Sequence, residues 1–304
     1  MIRSPVSRSQ LLASAFATRR STAIRKLSGS PQTNNAQPEA PSSKPKPHDI
    51  DPRWLTMTKR RVGRCMMFGL KPRQVQEAGD IVQQIARDWR ELIAGSEGYL
   101  TDATRRGLFR QRVAWGEMHG HVNNVTYVRY AETARVYFTH NFALHIDPAH
   151  KTEWMNLVSN KGLGIILRSI KIDYKFHSPS LTACVQPMQY PDKVTVYHKL
   201  VHDPSASHSS QFAFHLQAMI LSEARQRPAA RVHEDLVTYD YKIGKKAAIP
   251  PWLMKQLKDT WELQEQAKRH WQQRILDIEA RVRKLEVESW DREDAVEDMG
   301  SAKN

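Results

Sequence analysis

The 304-residue sequence has only two cysteines, Cys65 and Cys184. Two thiols cannot build a disulfide framework or a cysteine-rich zinc site, so both read as packing or surface thiols. Long apolar runs are missing too. The densest, residues 163–167, contains Gly164 and stops at Arg168, well short of the ~18–20 apolar residues that a bilayer-crossing helix needs. Acidic residues are absent from the start of the chain, where none precedes Glu39. Apolar residues make up 40% of the chain and charged residues 26%. That apolar share is slightly low for a globule, because both ends read as non-globular, and the length fits one large or two small domains.

The net charge of +14 is unevenly placed. Residues 1–73 hold fifteen of the basic residues and three acids (Glu39, Asp49 and Asp51), a net of +12, which leaves +2 for all the rest. The basicity is therefore an N-terminal property, not the nucleic-acid footprint of a folded domain. Within residues 1–30 stand Arg3, Arg8, Arg19, Arg20, Arg25 and Lys26 with seven serines. Arginine- and serine-rich, acid-free and weakly amphipathic is the composition of a mitochondrial transit peptide. Residues 25–28, Arg-Lys-Leu-Ser, resemble a matrix-peptidase site with the cut after Leu27. The expectation is a leader over residues 1–27 and a mitochondrial, matrix location. Residues 28–72 then read as a disordered linker, rich in Ser, Pro, Asn and Gln, running into a solvated basic arm. The arm carries Arg53, Lys59, Arg60, Arg61, Arg64, Lys71 and Arg73 without an acid. It could touch RNA or anionic lipid.

The body, residues 73–249, shows the periodicities of packed elements. Val75, Ala78, Ile81, Val82, Ile85, Trp89, Leu92 and Ile93 recur in helical steps after Pro72, so the spacing predicts an amphipathic helix ended by Gly95. Residues 108–115 read as a strand. Asn123 and Asn124 stand where a helix cap belongs. Tyr127, Tyr130, Ala131, Ala134, Phe138 and Phe142 follow as one stripe of a long helix. Four strands are expected over residues 164–176, 193–202, 211–221 and 231–241, with Pro, Ser or Asp between them.

Residues 115–135, WGEMHGHVNNVTYVRYAETAR, resemble the signature of the 4-hydroxybenzoyl-CoA-thioesterase-like hotdog family. Its pattern runs W-G-D-x-D-x-x-x-H-V-N-N-x-x-Y-x-x-Y-x-E-x-A-R. His121, Val122, Asn123, Asn124, Tyr127, Tyr130, Glu132, Ala134 and Arg135 match at the same spacing. The resemblance covers about residues 105–242 and implies an α+β hotdog fold, an antiparallel sheet wrapped around a long central helix. An N-terminal helix and a long C-terminal helix are additions to it. The chain then resembles a fungal-type mitochondrial member of that family. The resemblance also implies an acyl-CoA or acyl-carrier thioester as substrate, a homodimer or higher oligomer joined sheet to sheet, and neither cofactor nor metal. Arg168 and Lys171 are candidates for CoA phosphates at the mouth.

The chemistry fits the pattern. A helix N-terminus offers unpaired N–H groups and a positive dipole end, which polarise a thioester carbonyl and stabilise the oxyanion. A carboxylate in the preceding loop can activate water or attack the carbonyl. Here that loop is two residues shorter than the family pattern. Matched from Trp115-Gly116, Glu117 falls on the first Asp of D-x-D and the second is deleted. Counted back from His121, Glu117 falls on the second, working Asp. In one register it is structural; in the other it is the general base or nucleophile. His119 and His121 are further candidate bases near neutral pH, with loop or helix-entry roles as the alternative. Gly120, Asn123, Asn124, Tyr127 and Tyr130 are assigned to substrate binding, the asparagines also as caps and the tyrosines as core or tunnel wall. Glu132 is the secondary candidate acid, with a local ion pair to Arg129 or Arg135 as its alternative role.

After Pro250-Pro251, residues 250–290 lack a helix breaker. Met254, Leu257, Trp261, Gln264, Lys268, Trp271, Ile275, Ile278, Val282 and Leu285 recur at alternating three- and four-residue steps. This predicts one long helix, either a coiled-coil seam for a partner or a charged helix packed at one end. Residues 291–304 read as a disordered tail. Two function classes stay open. One is a mitochondrial acyl-CoA thioesterase. The other is a catalytically inactive hotdog scaffold of a mitochondrial complex such as the mitochondrial ribosome, attached by the basic arm or C-terminal helix.

Overall fold

In the computed structural model the described residues are 50–51, 53–113, 121–175, 188–207 and 209–297. The helix expected after Pro72 is α2 (Pro72–Gly95), which buries Ala78, Ile81, Ile85, Trp89 and Leu92. The stretch expected as a solvated basic arm is corrected: most of it is a packed helix, α1 (Trp54–Met66). The reason is a second pattern beneath the charges. Trp54, Leu55, Thr58, Val62 and Cys65 fall on one face and are buried, while the basic residues take the other positions. Arg61 anchors the helix by donating from Nε and Nη2 to the Glu286 carboxylate, each at 2.8 Å.

Five main strands form one antiparallel sheet in the order β1-β3-β4-β5-β2: β1 (Leu108–Arg112), β2 (Leu163–Tyr174), β3 (Lys193–Leu200), β4 (Ala213–Ser222) and β5 (Arg227–Asp240). A two-residue β6 (Lys245–Lys246) extends β5. All four strands expected after the central helix are present, although Phe176, the far end of the first, lies outside the described residues. The central helix is α3 (Asn124–Asn141). Its Tyr127, Tyr130, Ala131 and Ala134 pack with Val194, Val196, Ala218, Ile220, Ala230 and Val232 of the sheet. A curled antiparallel sheet around a long helix is the hotdog fold, as the motif implied. Gly107 lets the chain approach α3 closely: a Cβ there would stand 2.6 Å from Ala134 Cβ.

The opposite sheet face is covered as well. Tyr197, Met219 and Leu221 belong to one apolar cluster with α1, α2 and α5 (Pro251–Glu288). Six of the ten expected seam residues of α5 are buried: Leu257, Gln264, Ile275, Ile278, Val282 and Leu285. The seam left for a coiled coil or a partner is thus filled largely by the same chain. Gln264, a polar break in that seam, has a specific use. Its Oε1 accepts from the Leu200 N–H at 2.8 Å and its Nε2 donates to the Leu200 carbonyl at 3.2 Å. It completes the end of β3 beyond the reach of β1, as a neighbouring strand would. Gly95 permits the α2–α5 contact, since a Cβ there would overlap the Trp271 ring. Phe142, the last residue of the expected α3 stripe, opens a wide turn (Phe142–Ile146), and the residues after it, for which the sequence offered no pattern, continue as a short 3₁₀ turn (Pro148–His150) and α4 (Lys151–Leu157). Asp147 accepts from Trp154 Nε1 at 3.0 Å and closes this end of α3.

Two predictions test the helical cover. Gln264→Leu keeps the volume but strands two buried backbone groups, and should destabilise the chain by about 2 kcal/mol in urea unfolding; an unchanged midpoint would contradict the strand-like role. Arg61, hydrogen-bonded to Glu286, holds that carboxyl below its usual range. The folded chain therefore takes up the proton less readily than the unfolded chain does. The contact contributes fully above the ordinary carboxylate range and is lost as pH falls from there through the lowered folded-state value. Thermal midpoints should drop more steeply with acid in the wild type than in Glu286→Gln, and parallel curves would refute this.

Candidate functional site

The start of α3 is built from short-range bonds. Asn123 is extended (φ −64°, ψ 146°) and its Oδ1 accepts from the Val125 N–H at 2.9 Å, the geometry of an N-cap. Its carbonyl accepts from the Thr126 N–H at 2.9 Å. These two bonds account for the Val125 and Thr126 N–H groups of the first turn; Asn124 is its first residue. The helix entry is also tied to the segment before β3. Val122 N–H donates to the Met188 carbonyl at 2.8 Å, and Val113 N–H donates to the Asp192 carbonyl at 2.9 Å. Val113 and Val122 are therefore both bonded to the same five-residue stretch, residues 188–192.

The sequence-assigned residues separate into three groups. Glu117, His119 and Gly120 lie outside the described residues. His121, Asn123 and Asn124 stand together at the helix entry, with His121 Nδ1 3.4 Å from the Val122 carbonyl. Tyr127 and Tyr130 are buried in the core beneath it. Tyr127 meets the Tyr174 ring edge-on at 5.3 Å, and burial pushes its phenol up to about 12, only partly offset by a hydrogen bond with the Met188 backbone. Glu132 is exposed, away from the helix entry. The local pair considered for it with Arg135 is not the one Arg135 makes, since that guanidinium binds Glu234. Of the two candidates for a phosphate, Arg168 donates from Nε to Asp235 at 2.7 Å and Lys171 stands 3.8 Å from Asp173.

The sequence reading missed a polar layer in the middle of the concave face. Val194 and Val196 of β3 precede His198, and Leu200 follows it. Ala230 and Val232 of β5 precede Glu234, and Leu236 follows it. On α3, Arg135 stands between Ala134 and Phe138. The apolar neighbours on the two sides belong to separate clusters. Glu234 and His198 have fully buried side chains, with His198 Nε2 3.6 Å from Glu234 Oε2. Among the described residues, Glu234 Oε2 and both His198 ring nitrogens have no hydrogen-bond partner. Arg135 also lines a narrow apolar cavity of about 30 Å³ among Phe138, Phe142, Trp154, Leu200 and Leu236. The signal was present in the strand registers: a histidine and a glutamate occupy positions that alternation reserves for apolar side chains. Charge neutralisation by Arg135 is what makes a glutamate tolerable there.

Residues 113–257 match the sequence model of the Thioesterase-like superfamily. That span contains α3, β2 to β5 and the first turns of α5, and leaves out α1, α2 and most of α5. No curated protein matches the chain. Similar solved structures include a thioesterase from Thermus thermophilus complexed with coenzyme A and Zn, at 17% identity and TM-score 0.37, covering 55% of this chain and 98% of that one. A Staphylococcus aureus protein in complex with CoA is similar at 13% identity and TM-score 0.38, covering 50% of this chain and 81% of its own. A DHNA-CoA thioesterase from Staphylococcus aureus is similar at 14% identity and TM-score 0.34, covering 52% and 87%.

The polar layer makes opposite predictions for its members. Removing one partner of a buried ion pair leaves the other charge uncompensated, so Arg135→Met should cost roughly 3–5 kcal/mol. His198→Leu deletes two unbonded buried nitrogens and should be neutral or stabilising. Denaturant midpoints check both, and a His198→Leu loss as large as that of Arg135→Met would contradict the assignment.

Proposed function

We propose that the chain hydrolyses an acyl thioester, presented by coenzyme A or by an acyl carrier, at the N-terminus of α3. The observation that carries this reading is the match of residues 113–257 to the Thioesterase-like superfamily, within which lies the capped helix entry at Asn123. The thioester oxygen sits by the first-turn Asn124 N–H, where the helix dipole favours developing negative charge. Glu117, between Val113 and Val122 in the sequence, takes a proton from water as the water oxygen bonds to the carbonyl carbon. Collapse of the tetrahedral intermediate breaks the C–S bond, and the departing thiolate takes the proton back. In a covalent variant the Glu117 carboxylate itself attacks, the C–S bond breaks to release the thiolate, and water then hydrolyses the mixed anhydride, leaving its proton to the thiolate. His119 or His121 serves as the auxiliary base. Gly120, Asn123 and Asn124 shape the carbonyl pocket, with Tyr127 and Tyr130 as its floor.

The rest of the reading concerns place and assembly. The composition of residues 1–27 supports delivery to the mitochondrial matrix, and no helix of the described residues is long and apolar enough to cross a membrane. The second edge of β2 pairs with no other strand among the described residues, which supports a homodimer joined through it. The second reading, an inactive scaffold subunit of a mitochondrial assembly, is favoured by one observation: α1 and α2, two of the three helices of the convex cover, lie wholly outside the matched span.

The test is turnover by the purified full chain on short, long and aromatic acyl-CoAs. Hydrolysis is expected, with Glu117→Gln slower by roughly a hundredfold or more. No turnover on any of the panel, together with co-sedimentation with mitochondrial ribosomes, would replace this reading with the scaffold.

A further inference from the structure

The outer face of α1 has no use in the thioester site and has an unusual make-up. Arg53, Met57, Arg60, Arg64 and Met67 recur at steps of four, three, four and three, opposite the buried Trp54, Leu55, Thr58, Val62 and Cys65. Met57 is 45% exposed, and Met66 and Met67 are each 52% exposed. Lys71 and Arg73 continue the charge past the helix end, and no acid occurs between Arg53 and Arg73. Of the seven cations in this stretch, Arg61 is spent on Glu286. Arg64 lies over the Trp290 ring at 3.7 Å, and Lys59 donates to the Gln226 side chain. The helix is packed from beneath through Trp54, Leu55, Val62 and Cys65.

We propose that this face docks the protein on an anionic phospholipid bilayer, with α1 lying in the plane of the surface. Cations alone would suit any polyanion. The methionines decide between them. Flexible unbranched side chains set between arginines gain by entering the acyl boundary while the guanidinium groups stay at the headgroups. A nucleic-acid surface would call for exposed rings on which bases stack, and the aromatic residues of this stretch are Trp54, which is buried, and Phe68, which is half-buried. Arginines facing the anionic headgroups add attraction that salt screens.

The experiment is vesicle flotation of the full chain, comparing phosphatidylcholine with phosphatidylcholine containing phosphatidylserine, with a single-stranded RNA shift assay alongside. Wild type should float with the anionic vesicles only. Two variants separate charge from apolar insertion: Arg60→Ser alone, and Met57→Ser combined with Met67→Ser. The methionine pair, which leaves the charge unchanged, should weaken vesicle binding roughly tenfold while leaving any RNA binding as it was. Circular dichroism melting shows that each variant is folded; all three sites are exposed. Absence of flotation overturns the proposal. So does vesicle binding that survives these substitutions but vanishes when Arg19, Arg20, Arg25 and Lys26 are replaced by serine. RNA binding stronger than vesicle binding, and insensitive to the methionines, would transfer the face to a nucleic acid.

Discussion

A sheet whose strands are apolar on both faces has to be covered twice, and that requirement organises this molecule. Val194 and Val196 of β3 face α3, while Tyr197 joins the outer helices in the other cluster. β4 repeats the arrangement with Ala218 and Ile220 on one side and Met219 and Leu221 on the other. An uncovered convex face would expose a contiguous apolar patch of the kind that drives association. Helices α1, α2 and α5 are the second cover. Their own apolar stripes are satisfied by the sheet and by one another, which explains why the α5 seam is occupied without a second chain.

The concave side holds the proposed site, and its cover is held at several points along its length. Asn123 caps the start of α3, Gly107 admits close packing against Ala134, and Arg135 binds Glu234 of β5 in the middle. Trp154 and Asp147 close the far end. A helix clamped at several points presents its first-turn donors at a defined place relative to the strands. That is the preorganisation which stabilising a developing oxyanion requires. Val122, at the helix entry, and Val113 both bond to the chain between Met188 and Asp192.

Much of the fold was legible in the sequence because its elements are strongly periodic. Residues 73–94, the α3 stripe, the four strands and the long C-terminal helix each carry a repeat that local chemistry enforces, and the motif over residues 115–135 fixed how they assemble. α1 was hidden, because charge composition in residues 53–73 masked a buried stripe that becomes apolar only when read every three to four residues. The roles of Gln264 and Glu234 were illegible for a different reason. Each is explained by a partner more than sixty residues away, Leu200 and Arg135, and no local pattern encodes such a contact. At the site, the Asn123 cap and the buried tyrosines were readable from spacing, whereas Asn124, also expected as a cap, is the first residue of the helix. The register of Glu117 was not, because a two-residue deletion gives two alignments with equal local merit.

That ambiguity has a direct resolution. A crystal structure of the full chain with an acyl-CoA analogue, in which a methylene group replaces the thioester sulfur, would locate the reacting carbon. The account predicts its carbonyl oxygen within hydrogen-bond reach of the Asn124 N–H and the Glu117 carboxylate about 3–4 Å from the carbonyl carbon or from a water beside it. A filled pocket at the helix entry, or a Glu117 carboxylate turned to bulk solvent or to an arginine, would contradict it.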